Sequence, residues 1–126
     1  MVCVFVRLSR NSVFSMSQVQ VSEIKAGTGT EAVKGALVFI HYDGRLEDGT
    51  QFDSSYRAGI PFEFVVGSKK VIQGMSLGVM GMRVGGTRKI FIPAELAYGE
   101  RSIGEFIKPN SNLIFTVELL EARLRE

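Results

Sequence analysis

The 126-residue chain has no tryptophan, a single cysteine (Cys3), a single histidine (His41) and only three prolines. One cysteine excludes an internal disulfide framework and a multi-cysteine metal site. One histidine without companion ligands cannot hold zinc. No stretch approaches the roughly 18 uninterrupted apolar residues of a membrane-spanning helix, so no membrane association is expected. An excess of one charge is missing as well. The formal net charge of +2 belongs to Arg7 and Arg10, because residues 1–16 contain no acid. From Ser17 to Glu126, 13 basic residues balance 13 acidic ones. A nucleic-acid-binding domain would carry a basic patch or stripe; none is visible, which sets nucleic acid aside. Catalytic motifs are equally scarce. His41 lies inside an apolar strand pattern with no nucleophile motif beside it, and reads as a hydrogen-bonded strand histidine. The stretch from Gly67 to Gly74 lacks the Gly-Lys-Ser/Thr ending of a phosphate loop, and Gly78 and Gly81 do not follow a strand as a dinucleotide fingerprint requires. Hydrolysis, phosphoryl transfer and redox chemistry therefore have no candidate residues, and no cofactor or metal is expected.

The length suits one domain able to bury roughly two-thirds of its unfolded surface without a staple. Residues 1–16 differ from the rest. Val2 to Val6 is a short apolar run that precedes Arg7 and Arg10, the reverse of the order in a secretory signal. The composition breaks at Met16-Ser17, so we expect an N-terminal extension outside the fold, with organelle targeting as the weaker alternative to a cytoplasmic protein. Residues 17–126 form the expected domain.

Within it, Val19, Val21 and then Ile24 read as one face of a strand. Leu37 to Tyr42 is apolar on both faces, which predicts a central strand buried on both sides. Asp48-Gly49 between alternating segments predicts a hairpin whose two turn residues both take positive φ. Ser54 to Gly59 reads as loop, and Phe62 to Val66 as a strand stopped by Gly67. Ile72, Met75, Val79 and Met82 fall on one stripe of a 3.6-residue period, the one convincing helix. Its glycines, Gly74, Gly78 and Gly81, cost about 1 kcal/mol each against alanine, so packing must hold it. Thr87 to Ile92 is a strand, Pro93 to Gly99 a single helical turn with proline first and glycine last, and Leu113 to Leu120 the last strand. The sum is an α+β domain. Nine phenylalanines and three tyrosines favour an apolar binding pocket; Phe39 and Phe91 are assigned to the core.

Several strings, in this order, carry a resemblance: His41-Tyr42; Leu46-Glu47-Asp48-Gly49; Phe52-Asp53-Ser54-Ser55; Pro61-Phe62-Glu63-Phe64; Gly67. Val71-Ile72-Gln73-Gly74, Gly78, Gly81-Met82, Pro93, Ala97-Tyr98-Gly99 and Leu113 to Leu120 complete it. From about Val19 to Ala122 the chain resembles the FKBP-type peptidyl-prolyl cis-trans isomerases. The resemblance implies an antiparallel five- to six-stranded sheet wrapped around one short helix. It implies a pocket for a proline ring walled by Tyr42, Phe52, Phe62, Phe64, Val71, Ile72, Tyr98 and Phe115. Asp53 would sit at the pocket edge, oriented by Tyr42 or by a cation such as Arg57. The Ile72 N–H and the Tyr98 hydroxyl would hydrogen-bond a substrate carbonyl, so that Asp53, Tyr98, Ile72 and Phe52 carry the catalytic roles.

The chain departs from the family pattern at three places. The pocket floor, commonly tryptophan, is Met75, which implies weaker isomerase activity and weaker binding of FK506- or rapamycin-type macrolides. In the loop after Tyr98, Ile103, Phe106 and Ile107 keep the tip apolar, with Ile103 and Ile107 expected as substrate contacts, but Glu105 and Lys108 add charge beside the substrate path. The arginine that commonly partners the pocket aspartate is displaced, with Ala58 at its place and Arg57 beside it. The expected function is isomerisation of X–Pro bonds in peptides and in unfolded or flexible proteins; the alternative is a binding or chaperone module of the same fold with little isomerase activity. No repeat or helical dimerisation segment is visible, and a monomer is expected.

Overall fold

The structure, a computed structural model, describes residues 5–6, 13–16, 19–99, 107 and 110–124. Six strands form its antiparallel sheet: β3 (Val19–Lys25), β4 (Leu37–Leu46), β5 (Gln51–Ser54), β6 (Phe62–Val65), β7 (Thr87–Ile92) and β8 (Leu113–Arg123). Their order is β3-β7-β8-β4, and the far side of β4 pairs with β6 along its first half and with β5 along its second. Two short strands, β1 (Phe5–Val6) and β2 (Val13–Met16), extend the sheet beyond β3. Part of the segment expected to lie outside the fold is thus paired with the sheet edge, where the open N–H and C=O groups of β3 accept another strand.

One helix crosses the sheet. This helix, α2 (Gln73–Val79), follows the one-turn helix α1 (Ser55–Ala58) in the chain. Its buried face, Gly74, Met75, Ser76, Gly78 and Val79, lies on β7. A Cβ at Gly78 would stand 2.5 Å from Ile90 Cγ2, and one at Gly74 would run into Ile92. The helix glycines that look costly in sequence are therefore what lets the helix backbone settle on the two isoleucines. Val38, Ile40, Phe64, Val79, Met82, Ile90, Ile92, Leu113, Val117 and Leu119 complete a dry core. Full burial of one such side chain contributes roughly 1.5–3 kcal/mol.

The structure changes five local readings. The strand β4 is buried on one face only: Val38 and Ile40 are covered, while Leu37, Phe39 and His41 are half-exposed. Phe39 and Phe91 are likewise half-exposed rather than core, with Arg123 over the Phe39 ring at 5.1 Å. In β3 the register shifts between Glu23 and Lys25, so Ile24 is 51% exposed and Glu23 turns toward Arg88 instead. Arg88, 5% exposed, donates from Nε to Glu23 at 2.7 Å and from Nη1 to the carbonyls of Gly78 and Met80. The β4–β5 hairpin takes positive φ at Gly49 alone, 95°. Leu46 and Thr50 close a three-residue loop, and Asp48 Oδ1 accepts from Thr50 N–H. Last, Ser54 to Gly59 is not a loop but α1, capped by the Ser54 side chain and ended by Gly59 at φ 79°.

Candidate active site

The site is built where β4, β5, β6 and β8 meet the start of α2. The inner face of β4 continues past Ile40 to Tyr42 and Gly44, and β8 brings Phe115 opposite Gly44. A Cβ at Gly44 would come within 2.8 Å of Phe115 and 2.9 Å of Phe52. The bare backbone there leaves room for two rings to meet. Phe52 and Phe115 pack edge to face at 5.6 Å, Tyr42 and Phe115 at 5.8 Å, and Tyr42 and Phe62 at 5.9 Å. Edge-to-face pairs contribute about 0.5–1.5 kcal/mol each beyond burial, so the wall is stiff before anything binds.

Between these rings lies a cleft of about 500 Å³, lined also by Asp53, Lys69, Lys70, Val71, Ile72, Met75, Ala97 and Tyr98. Met75 forms its floor and is 4% exposed. Asp53 stands at the lip; its Oδ2 accepts from the Tyr42 hydroxyl at 2.8 Å and its Oδ1 from Ser54 N–H at 2.8 Å. Burial first, and then the bond to Asp53, push the Tyr42 phenol above its ordinary value. Of the two orienting partners expected for Asp53, it is Tyr42 that binds it, whereas the Arg57 guanidinium donates to Gln51. The helix α2 begins at Ile72 without a side-chain cap. The Ile72 N–H has no hydrogen-bond partner among the described residues.

Most of the expected site residues converge on this cleft, and two do not. Phe64 is 1% exposed and stands behind Phe62, ring centroids 5.7 Å apart, as core rather than wall. Ile107 is buried in the core cluster and does not line the cleft. Ile103, like most of the loop after Tyr98, lies outside the described residues. Conversely, the cleft includes Lys69, Lys70 and Ala97, which the sequence reading passed over. Lys70 Nζ sits 5.5 Å from the Phe62 ring centroid, in cation–π range. The adjacency of Lys69-Lys70 to Val71-Ile72 was the available signal. His41 is remote from the cleft: it stacks on Tyr56 at 4.5 Å and shares a 2.8 Å hydrogen bond with Ser55 Oγ.

Rings, one held carboxylate and an unengaged backbone donor define a protein that grips an apolar group and orients the amide beside it. Comparison with known proteins agrees. Residues 28–120 match the family model for FKBP-type peptidyl-prolyl cis-trans isomerases. The chain is 51% identical over 90 residues to FK506-binding protein 2 of Yarrowia lipolytica, covering 71% of this chain and 62% of that protein. It is 44% identical over 106 residues to an FK506-binding protein of Neisseria meningitidis, covering 84% and 97%. The peptidyl-prolyl cis-trans isomerase FPR2 of Saccharomyces cerevisiae is 48% identical over 94 residues, covering 74% and 70%. Among solved structures, AtFKBP13 superposes with a TM-score of 0.76 at 42% identity over 83% of this chain and 93% of that one. The chain belongs to the FKBP-type peptidyl-prolyl cis-trans isomerases, enzymes that rotate X–Pro bonds.

Proposed function

We propose that the aromatic cleft is where this chain seats the proline ring of an X–Pro segment and lowers the barrier to rotation of the preceding amide. That barrier is about 18–20 kcal/mol and comes from amide resonance. No bond breaks, so no nucleophile, metal or proton shuttle is needed. Tyr42, Phe52, Phe62 and Phe115 would enclose the ring above Met75. The Ile72 N–H and the Tyr98 hydroxyl would hold the chain, while the carbonyl before proline turns against the Asp53 edge. Exclusion of water weakens the solvation of the planar, polar amide more than that of the twisted one. Contacts that suit the twisted form better than either planar form accelerate both directions. The observation that carries this reading is Asp53, fixed by Tyr42 at the lip of a ring-lined cleft that also contains Ile72.

In this reading the substrates are peptides and flexible or unfolded proteins, the molecule acts as a cytoplasmic monomer, and FK506- or rapamycin-type macrolides compete for the cleft. A second reading, a binding or chaperone module with little catalysis, draws on Met75, a flexible thioether at the floor that fixes a ring less rigidly than an aromatic would. A protease-coupled assay on a Leu-Pro peptide separates the two. Turnover above the uncatalysed rate supports the isomerase, and background rates with measurable peptide affinity support the module.

A further inference from the structure

A second cleft, of about 480 Å³, lies on the other side of Lys69 and Val71, which line both. Its apolar surfaces are Val71, Leu77 and Met80, and its cations are Lys34 and Lys69. The walls are tied in place. Gly67 N–H donates to the buried Ser76 Oγ at 2.9 Å, which pins the turn after β6 to α2. Gly35 N–H donates to the Val66 carbonyl and Val66 N–H to the Ala36 carbonyl, which holds the Lys34 segment against the same turn. The Lys34 stem lies across Gly67, where an added Cβ would come within 3.3 Å of its Cγ. Among the described residues no carboxylate lines this cleft, and the proline cleft has only Asp53, which Tyr42 and Ser54 already engage. Among the described residues no ion pair joins Lys34, Lys69 or Lys70 to an acid. Lys34, Lys69 and Lys70, three lysines with no acidic partner among the described residues, therefore flank the path out of the proline cleft.

We propose that this second cleft is a subsite for an acidic side chain of the substrate, so that the enzyme favours X–Pro segments with Asp or Glu within reach of Lys34 and Lys69. The inference rests on the reading of the first cleft as the proline site. Its occupant is argued from charge. An Asp or Glu about three residues from proline reaches roughly 10 Å along an extended chain, its stem meets Leu77 and Met80, and its carboxylate meets the two ammonium groups. A lysine there meets like charge.

The test uses labelled peptides built around Leu-Pro, with Glu or Lys placed in turn at each of the three positions on either side, and reads both anisotropy and isomerisation. At low salt the Glu peptide of at least one pair should bind roughly three- to tenfold more tightly than its Lys counterpart, the scale of one or two exposed ion pairs. High salt should collapse the difference. Lys34→Glu should abolish or reverse it while leaving the neutral Leu-Pro peptide unaffected, since Lys34 does not line the proline cleft. Equal binding of every Glu and Lys pair, or a preference that survives Lys34→Glu, would overturn the subsite. If the neutral peptide neither binds nor turns over, it is the proline reading that falls.

Discussion

The Tyr42 hydroxyl donates to Asp53 Oδ2 at 2.8 Å, joining the inner face of β4 to the lip contributed by β5. This bond does two things. It fixes the carboxylate against which, in the proposed reading, the substrate carbonyl turns, and it closes the tyrosine edge of the aromatic wall. Removing it with Tyr42→Phe keeps the ring and its packing. We expect about 1 kcal/mol less stability, the scale of one hydrogen bond to a partly solvated charge, and a several-fold lower kcat/KM on a Leu-Pro peptide with a smaller change in peptide affinity. Urea unfolding and the coupled assay measure the two effects.

The same pair predicts a pH dependence. Burial, followed by the bond to Asp53, raises the Tyr42 phenol above its unfolded value, which lies near 10 (about 10). The folded state therefore binds that proton more tightly than the unfolded state. The stability so gained is complete below about pH 10 and is lost as pH rises toward the folded value. The stability advantage of the native chain over Tyr42→Phe should narrow above about pH 10. An advantage that stays constant, or grows, up to pH 11 would contradict this assignment.

Met75 lines the cleft together with the rings and is 4% exposed. An aromatic floor there adds contacts worth about 0.5–1.5 kcal/mol. Met75→Trp should raise kcat/KM on a Leu-Pro peptide roughly 2- to 12-fold and tighten macrolide binding by a similar factor. No gain in either, in a variant that remains folded by circular dichroism, would overturn the expectation that Met75 weakens activity.

On helix propensity alone, Gly78→Ala should stabilise by about 1 kcal/mol. The structure says the reverse, because the new methyl would stand 2.5 Å from Ile90 Cγ2 under a helix that cannot rise without losing its core. A loss of about 1–3 kcal/mol is expected from overpacking. Chemical denaturation decides between the signs.

Arg88 ties the end of α2 to β3 through Glu23. Arg88→Met leaves two carbonyls and a half-buried carboxylate without their cation, and breaking a buried pair in this way costs about 3–5 kcal/mol. Because α2 carries Met75, peptide affinity should fall together with stability. Unfolding midpoints and anisotropy on the same variant test the coupling.

Much of this was legible in the sequence, for definite physical reasons. Apolar alternation located most of the strands, and the stripe from Ile72 to Met82 located the short helix α2. The glycine cost within that stripe rightly implied a packed partner, although Ile90 and Ile92 could not be named without the sheet register. What stayed hidden depends on register and depth. A β-bulge at Glu23 turns Ile24 outward and brings an acid to Arg88, and no period-2 reading anticipates that. The spacing around Pro61 is the same whether Phe64 is wall or core; only the position of Phe62 in front of it decides. Lys69 and Lys70 carry no signal in the sequence beyond their adjacency to Val71-Ile72, because a sequence does not show which side of a turn faces a cleft.

The central claim is that the ring-lined cleft, not another surface, is where the proline turns. The most direct test is macrolide titration followed on one sample by two readouts: the coupled isomerisation rate, and the amide resonances of Ile72 and Tyr98. We predict that the rate falls to the uncatalysed value in proportion to cleft occupancy reported by those two amides. Catalysis that persists when the cleft is saturated would contradict the account.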